Sequence, residues 1–269
     1  MSSNGKYLPP DNKNDIWKHT SKWRPRQLEE LKISVEDGNV VDPPQLSSID
    51  MGPDVDRILL PGINVLSTDV KISQSQRPFF NRLNQLRYFP DEPPVDSVAY
   101  DLLTYSGFES EILHFRPRPH LELSWNDKEI SSEADFGVYS GNFTDFLNAK
   151  YFVVVENKAE KRNVYQGGEC QLCGEMLLAA TTRFTNIKRD HTVYGMILRG
   201  LSVRFYKATF SKDYLSNLEK ETILKKSITI QRFPSETTQA LFLSDTDDRE
   251  HIIRILCSIR KNVEELVSR

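Results

Sequence analysis

The chain has 269 residues, a formal net charge of −3, 38% hydrophobic residues and 27% charged residues. These values are typical of a soluble globular protein and allow one large domain, or one domain with an extension. No apolar run approaches the roughly 20 residues needed to cross a bilayer, which excludes a membrane-spanning helix. We therefore expect no membrane partner.

Cysteine usage and the first residues predict the compartment. Three cysteines are too few for a disulfide framework. The first ten residues lack the apolar segment of a secretory signal. We expect an intracellular protein, either nuclear or cytoplasmic. Cys170 and Cys173 lie one helical turn apart, and we expect them to be buried core residues rather than a zinc or redox site.

Residues 1–94 differ in composition from the rest of the chain. Nine of the fourteen prolines lie within residues 1–90, among polar and acidic residues. Short helices are predicted at 26–33 and 77–88, with loops between them. We expect an N-terminal arm that wraps the core or stays partly mobile, and that offers a docking segment for a protein partner. Pro93 and Pro94 predict the boundary, because two prolines cannot continue a helix.

Residues 95–269 show regular alternation of helix and strand patterns, which predicts an α/β domain with a mixed central sheet flanked by helices. A helix at 95–105 is followed by a predicted hairpin of strands 120–125 and 129–139. The remaining predicted elements are a third strand at 151–158, a helix from 166 or 169 to about 184, strands at 192–198 and 203–210, and helices at 213–225 and 248–267.

The third predicted strand carries the most informative residues. Residues 151–155 form an aromatic and β-branched run typical of a fully buried strand. Glu156 and Lys158 follow it, and alternation places both side chains on the same face. A charged pair at the end of a buried strand is costly without a partner. Asp135, on the preceding strand, supplies that partner if residues 133–138 pair with 151–158.

Two carboxylates and a lysine at one strand end suit phosphodiester cleavage. Carboxylate oxygens are the ligands that Mg²⁺ or Mn²⁺ prefers. Such an ion lowers the pKa of a water and stabilises charge on the phosphate, and a nearby ammonium orients the water. Residues 151–269 carry 19 Lys+Arg against 15 Asp+Glu, a net charge of +4, whereas residues 1–150 carry 16 against 23, a net of −7. The half with the candidate site is the basic half, which favours nucleic acid as partner.

An Asp, about twenty residues, and an apolar strand ending in Glu-x-Lys resemble the PD-(D/E)XK nuclease superfamily, whose fold is restriction-endonuclease-like. The resemblance covers roughly residues 95–210, and Ala134 stands where the family usually has proline. It implies a metal-dependent nuclease acting on DNA or RNA. Asp135 and Glu156 would bind Mg²⁺ or Mn²⁺ together with the backbone carbonyl of Asn157, and Lys158 would assist the attack of water.

Other site residues follow from the same resemblance. Gln171 and Glu175 share one face of the predicted helix after the third strand, and the family implies that Gln171 positions phosphate or water. The alternative is an exposed helix face. A further acid from the first helix often completes the family site, and Asp101, Glu109 and Glu111 are alternative candidates. The run 171–176 and the following strands resemble, loosely, fungal orphan members and Crinkler-type effectors of the superfamily.

Two other interpretations stay open from the sequence. The first is a catalytically inactive nuclease-fold module that binds protein or nucleic acid in an effector or scaffold role, with the arm as its docking segment. The second is a coincidental motif, in which Glu156 and Lys158 are a structural pair on another α/β fold. Pairing of strand 133–138 with strand 151–158 separates this second interpretation from the others.

Overall fold

A computed structural model describes residues 15–59, 72–88, 92–141, 149–159, 165–181, 189–220, 224–237 and 239–268. Within these ranges the chain forms a mixed α/β fold with helices on both faces of a central sheet. The elements in chain order are α1 (Asp15–Lys18), a 3-10 helix (Thr20–Lys22), α2 (Pro25–Glu30), β1 (Ile33–Asp37), α3 (Pro43–Ser48), a second 3-10 helix (Pro53–Arg57), α4 (Arg77–Tyr88), α5 (Glu92–Tyr105), β2 (His114–Pro117), β3 (His120–Trp125), β4 (Lys128–Glu133), β5 (Phe136–Ser140), β6 (Lys150–Lys158), α6 (Tyr165–Thr181), β7 (His191–Arg199), β8 (Ser202–Phe210), α7 (Lys212–Glu219), β9 (Ile228–Phe233), β10 (Leu241–Phe242) and α8 (Thr246–Val267).

The central sheet has the strand order β1-β9-β8-β7-β6-β5-β2, and β10 pairs with β8. Strand β6 lies between β7, to which it is parallel, and β5, to which it is antiparallel. Residues 151–157 of β6 are all buried, as its continuous apolar run predicts for an inner strand covered on both faces. Strands β3 and β4 form a separate antiparallel pair.

Each face of the central sheet packs against its own apolar core. Helices α4, α5 and α8 cover one face, which includes Val153 and Val155 of β6. Helices α6 and α7, the β3–β4 pair and the segment around α1 and α2 cover the other, which includes Val154. Gly195 of β7 permits the close approach of α6, because a Cβ there would lie 2.8 Å from the Met176 sulfur. Successive residues of β6 therefore face two different environments.

Part of the predicted N-terminal arm belongs to the central sheet and its cores. Strand β1, which the sequence analysis did not predict, pairs in parallel with β9. Trp23 is fully buried and lies against α6, where a Cβ on Gly174 would be 2.9 Å from its ring. The helix predicted at 26–33 ends earlier, as α2, because Lys32 adopts a positive φ of 52° and turns the chain into β1.

The predicted hairpin of strands 120–125 and 129–139 is wrong in its second strand. Strand β4 ends at Glu133 and pairs with β3, whereas β5 begins at Phe136 and enters the central sheet. The outer neighbour of β5 is β2, which was not predicted. The residues between β4 and β5 are fixed by hydrogen bonds, since Arg118 N–H donates to the Asp135 carbonyl at 3.0 Å. Alternation runs on through both strands, so it carries no sign of the break.

Pro93 and Pro94 do not precede a helix that starts at Val95, as we expected. They lie in the first turn of α5, which begins at Glu92. The first N–H groups of a helix lack intrahelical acceptors, so proline is tolerated there. Among the helices in the described ranges, none has an apolar stretch long enough to cross a membrane.

Candidate active site at the carboxyl end of β6

Pairing of β5 with β6 brings Asp135 beside Glu156. Phe136 is the register partner of Val155, so the residue before β5 lies level with the residue after Val155. Asp135 N–H donates to the Val155 carbonyl at 3.0 Å. Its carboxylate accepts a hydrogen bond from Asn157 N–H, with an N–Oδ2 distance of 2.5 Å. The expected strand pairing is therefore confirmed for residues 136–138, and the two hydrogen bonds of Asp135 fix its carboxylate at the end of β6.

Glu156 and Lys158 project together towards α6. The Lys158 ammonium forms an ion pair with Glu156 Oε1 and donates to Gln171 Oε1 at 3.1 Å. The Glu156 side chain is 3% exposed and the Lys158 side chain 29%. Gln171 is buried, so its helix face is not the solvent-exposed one that the sequence allowed. The lysine thus reaches the surface while both of its partners are enclosed.

Glu175, one turn after Gln171 on α6, adds a third carboxylate. It is fully buried, and its Oε1 accepts hydrogen bonds from Gln171 Nε2 at 3.0 Å and from Ser132 Oγ at 2.8 Å. Thr20 Oγ1 in turn donates to Ser132 Oγ at 2.5 Å. A hydrogen-bonded series therefore runs from the N-terminal segment through the β3–β4 pair to α6. We call Asp135, Glu156 and Glu175 the carboxylate cluster.

The carboxylate cluster favours bound protons or a bound cation. Burial raises the pKa of Glu156 well above its ordinary value, and the charges of Glu175 and Asp135 raise it further, while Lys158 opposes the rise. Burial also raises the pKa of Glu175 to about 7, although the hydrogen bonds from Gln171 and Ser132 lower it. Burial disfavours the charged form of Lys158, but the three carboxylates outweigh burial and raise its pKa. Together these groups form an acid-rich cluster around one ammonium.

Asn157 directs its side chain to one face of the sheet and its backbone groups towards the β5 side of β6. Its side chain is buried and its Nδ2 donates to Asp96 Oδ1 of α5 at 2.8 Å. Its backbone N–H points to Asp135, and the N–H and C=O of one strand residue point the same way. The Asn157 carbonyl is therefore directed to the Asp135 side of β6, where the predicted ligand role requires it.

The three alternative upstream acids lie elsewhere. Asp101 is buried on the opposite face of the sheet and pairs with Arg82 at 2.5 Å. Glu109 bonds to His114 Nδ1 at 3.0 Å, and Glu111 is exposed in the connection before β2. The third carboxylate near Glu156 comes instead from α6, as Glu175. Spacing alone marked Glu175 only as a neighbour of Gln171, and no local pattern marks Ser132 or Thr20.

The donor set at the end of β6 fits a hard divalent cation. Within the described ranges, no three His, Cys, Asp or Glu side chains are grouped closely enough to hold a metal. The set predicted from the sequence needs only two, Asp135 and Glu156, with the Asn157 carbonyl as the third oxygen. A cation there would offset the carboxylate charge that raises the pKa of Glu156. Glu175 then lies behind the ligands and holds Gln171.

Comparison with known proteins yields no family for this chain. No protein-family model matches the sequence, and no curated protein matches it.

Cys170 and Cys173 are both buried free thiols in the core beneath α6. Burial raises the pKa of both thiols, which disfavours the reactive thiolate.

Proposed function

We propose that this protein is a metal-dependent nuclease of the PD-(D/E)XK type, with a restriction-endonuclease-like core, that hydrolyses phosphodiester bonds in DNA or RNA. One observation carries the proposal. The Asn157 N–H···Asp135 hydrogen bond holds one carboxylate beside the strand end that presents Glu156 and Lys158. If the Glu-x-Lys motif were a coincidence, we would not expect an aspartate to be held beside it by a hydrogen bond.

Asp135, Glu156 and the Asn157 carbonyl are the residues that would hold Mg²⁺ or Mn²⁺. When bound, the ion supplies Lewis-acid stabilisation of the phosphate and a water of lowered pKa. In the absence of a ligand, the Lys158 ammonium offsets part of the carboxylate charge through its ion pair with Glu156. The same side chain therefore keeps the acidic site folded before it acts on a substrate.

Lys158 is the residue of the site that contacts substrate. Its side chain is partly exposed, and Gln171 Oε1 fixes the direction of its ammonium through a hydrogen bond. A positive charge held beside the scissile phosphate attracts the phosphate oxygens and orients the attacking water. Gln171 is itself held by Glu175, so it acts as a positioning residue. The hydrogen bonds of α6 thereby set where the charge of Lys158 lies.

The direct test is cleavage of labelled single-stranded and duplex DNA and RNA with Mg²⁺, with Mn²⁺ or with EDTA. Wild type is compared with Glu156→Gln and Lys158→Met, which keep the side-chain size. Asp101→Asn is the matched control, because Asp101 is a buried carboxylate with one cationic partner on the other face. We expect metal-dependent cutting by wild type and control, and loss of cutting in both site variants.

Two results would contradict the proposal. Cleavage that survives Glu156→Gln and Lys158→Met would assign the activity to another site. Folded wild type that cuts none of the substrates and binds neither ion by calorimetry would leave the inactive binding module as the better interpretation. Circular dichroism and thermal unfolding of each variant separate a lost site from a lost fold.

A further inference from the structure

A cavity of about 440 Å³ opens beside the candidate site. It lies on the α6 face of the sheet, between Glu169 near the start of α6 and the chain that follows β9. Strands β6 and β7 are parallel and both end at this rim, β8 begins there and β9 ends there. The cavity and the carboxylate cluster therefore share one rim and one face of the sheet.

The cavity adjoins Glu156 and Lys158 through strand register. Ile197 and Arg199 line the cavity, and they are the register partners of Glu156 and Lys158 across the β6–β7 pair. Gly168 of α6 lies against both sides of this junction, because a Cβ there would be 3.5 Å from Arg199 Nη2 and 3.7 Å from Lys158 Cγ. Neighbouring strands are about 4.8 Å apart, so a molecule in the cavity lies one strand away from Lys158.

The lining combines an apolar surface with charged groups of both signs. Ile197, Ala240 and Phe242 supply apolar contact. The charged lining residues are Arg199, Arg204, Arg232, Glu169 and Glu236. Arg232 is already paired with Glu169 at 3.0 Å and with Glu236 at 3.1 Å. Arg204 donates to the Ser235 carbonyl at 3.1 Å. A phosphate inside would compete with the carboxylates that hold Arg232, whereas a neutral ring with N–H and C=O groups on its edge matches both signs of charge. The chemistry favours a nucleobase or nucleoside over a phosphate.

The volume also restricts the occupant. Cavities of about 300–1,000 Å³ hold single small molecules, so 440 Å³ has room for one nucleoside. A duplex is far wider, and its bases are stacked and paired. A base enters such a cavity only from a single strand, a loop or a flipped position.

We propose that this cavity binds the nucleoside next to the scissile phosphate, and that it restricts cleavage to single-stranded or unpaired nucleic acid. The inference rests on the proposed nuclease function for its orientation. The phosphate of the bound nucleotide lies at the rim, near Arg199 and Lys158, and the base lies against Ile197 and Phe242. The cavity thus distinguishes single-stranded from paired nucleic acid, and it does not distinguish one base sequence from another.

The test measures binding separately from cleavage. A fluorescein-labelled single strand of ten nucleotides and its duplex are titrated with protein in EDTA, and affinity is read from fluorescence anisotropy. Ala240→Leu fills the cavity without removing a polar group, since Ala240 is an apolar lining residue. The control is Thr192→Leu, in a separate cavity of about 490 Å³ at the opposite end of β7. Thr237→Ile, at an exposed lining position, obstructs the cavity if Ala240→Leu does not fold.

We expect wild type and Thr192→Leu to bind the single strand more tightly than the duplex. Ala240→Leu should weaken single-strand binding by at least about tenfold, the loss expected when one base contact is removed, and leave duplex binding unchanged. Equal affinity of wild type for both forms, or a cavity-filling variant that binds as wild type does, overturns the inference.

Cleavage assays of the same variants separate this inference from the proposed function. Metal-dependent cutting of duplex and single strand at equal rates, unaffected by Ala240→Leu, keeps the nuclease and removes the nucleoside site. Single-strand binding that is lost in Ala240→Leu, in a protein that cuts nothing, keeps the binding site and removes the nuclease.

Discussion

Each face of the central sheet buries a carboxylate, and the two carboxylates differ in their cationic partners. Asp101, on the face covered by α4, α5 and α8, has its own guanidinium, with Arg82 bonds of 2.5 and 2.7 Å. Glu156, on the α6 face, shares Lys158 with Asp135 and Glu175. Burial raises the pKa of both Asp101 and Glu156. The number of acids that share one cation distinguishes the structural carboxylate, Asp101, from the candidate functional one, Glu156.

This difference has unequal consequences for folding stability. Neutralising the carboxylate of a matched pair removes an ion pair together with a desolvation cost, so the two effects partly cancel. Neutralising one member of an acid-rich cluster removes repulsion and a desolvation cost, which stabilises the fold. Sites with a surplus of one charge are therefore kept at the expense of stability, as expected where selection acts on function.

The largest expected effect is on activity. Asp135→Asn should lower kcat/KM for cleavage by about 10²–10³-fold or more, the loss seen when one charged or hydrogen-bonding group of a preorganised site is removed. Asp101→Asn should leave kcat/KM within about threefold of wild type. Steady-state kinetics of both variants at saturating Mg²⁺ would check this. Equal losses in the two variants would mean that the faces do not differ in function.

The next effect is a gain in stability. Glu175→Gln should raise the free energy of unfolding at pH 8 by about 3 kcal/mol, which corresponds to a pKa raised from 4.5 to about 7. The stability contributed by protonated Glu175 is fully present below pH 4.5 and is lost as pH rises through 7. Urea unfolding at pH 4.5, 6 and 8 should therefore show wild type losing stability that the variant retains. If the variant is less stable than wild type at pH 8, the carboxylate cluster does not carry the excess of negative charge that we assign to it.

A smaller effect is expected on the other face. Asp101→Asn should change the free energy of unfolding by at most about 1–2 kcal/mol, because the lost Arg82 ion pair and the relieved desolvation cost of the carboxylate act in opposite directions, and the 30% exposed Arg82 side chain regains water. Urea unfolding at pH 7, alongside Glu175→Gln, would measure the difference in size. An increase for Asp101→Asn as large as that for Glu175→Gln would show that burial alone decides the effect.

The smallest effect concerns the hydrogen bond at the far end of the series that reaches Glu175. Thr20→Val keeps the side-chain shape and removes the donor to Ser132, so we expect a loss of about 1 kcal/mol in the free energy of unfolding. Thr192→Val removes an exposed bond to Thr209 of 2.9 Å and should cost less than about 0.5 kcal/mol. Thermal unfolding of the two variants measures both losses. Equal losses would show that the buried hydrogen bond contributes no more to stability than the exposed one.

Local patterns predicted most of what concerns β6. The apolar run at 151–155, its charged end and the pairing with the strand after Asp135 all follow from periodicity and chain order. The division of 129–139 into β4 and β5 did not follow, because alternation is the same whether two strands join one sheet or two. Only the tertiary contacts at Arg118 and Asp135 fix where the chain leaves one sheet for the other.

The remaining site residues depend on packing that sequence spacing does not encode. Glu175 is a site carboxylate because α6 lies flat on β7 at Gly195, which aims one helix face at the end of β6. Ser132, which bonds to Glu175 directly, and Thr20, which bonds to Ser132, are both far from it in the chain. The alternation of β1 is weak, with only Ile33 fully buried, so its place in the sheet was not evident from pattern.

The edge strand β1 also has a consequence for synthesis of the chain. Ser34 and its partner Thr229 are 195 residues apart, so β1 leaves the ribosome well before β9. At about 5–20 residues per second the delay is roughly 10–40 s. An unpaired strand is an aggregation hazard during such a delay, and exposed charges protect it. Glu36 and Asp37, both exposed, supply those charges, so the strand that completes the sheet last is also poorly suited to pairing with a neighbouring nascent chain.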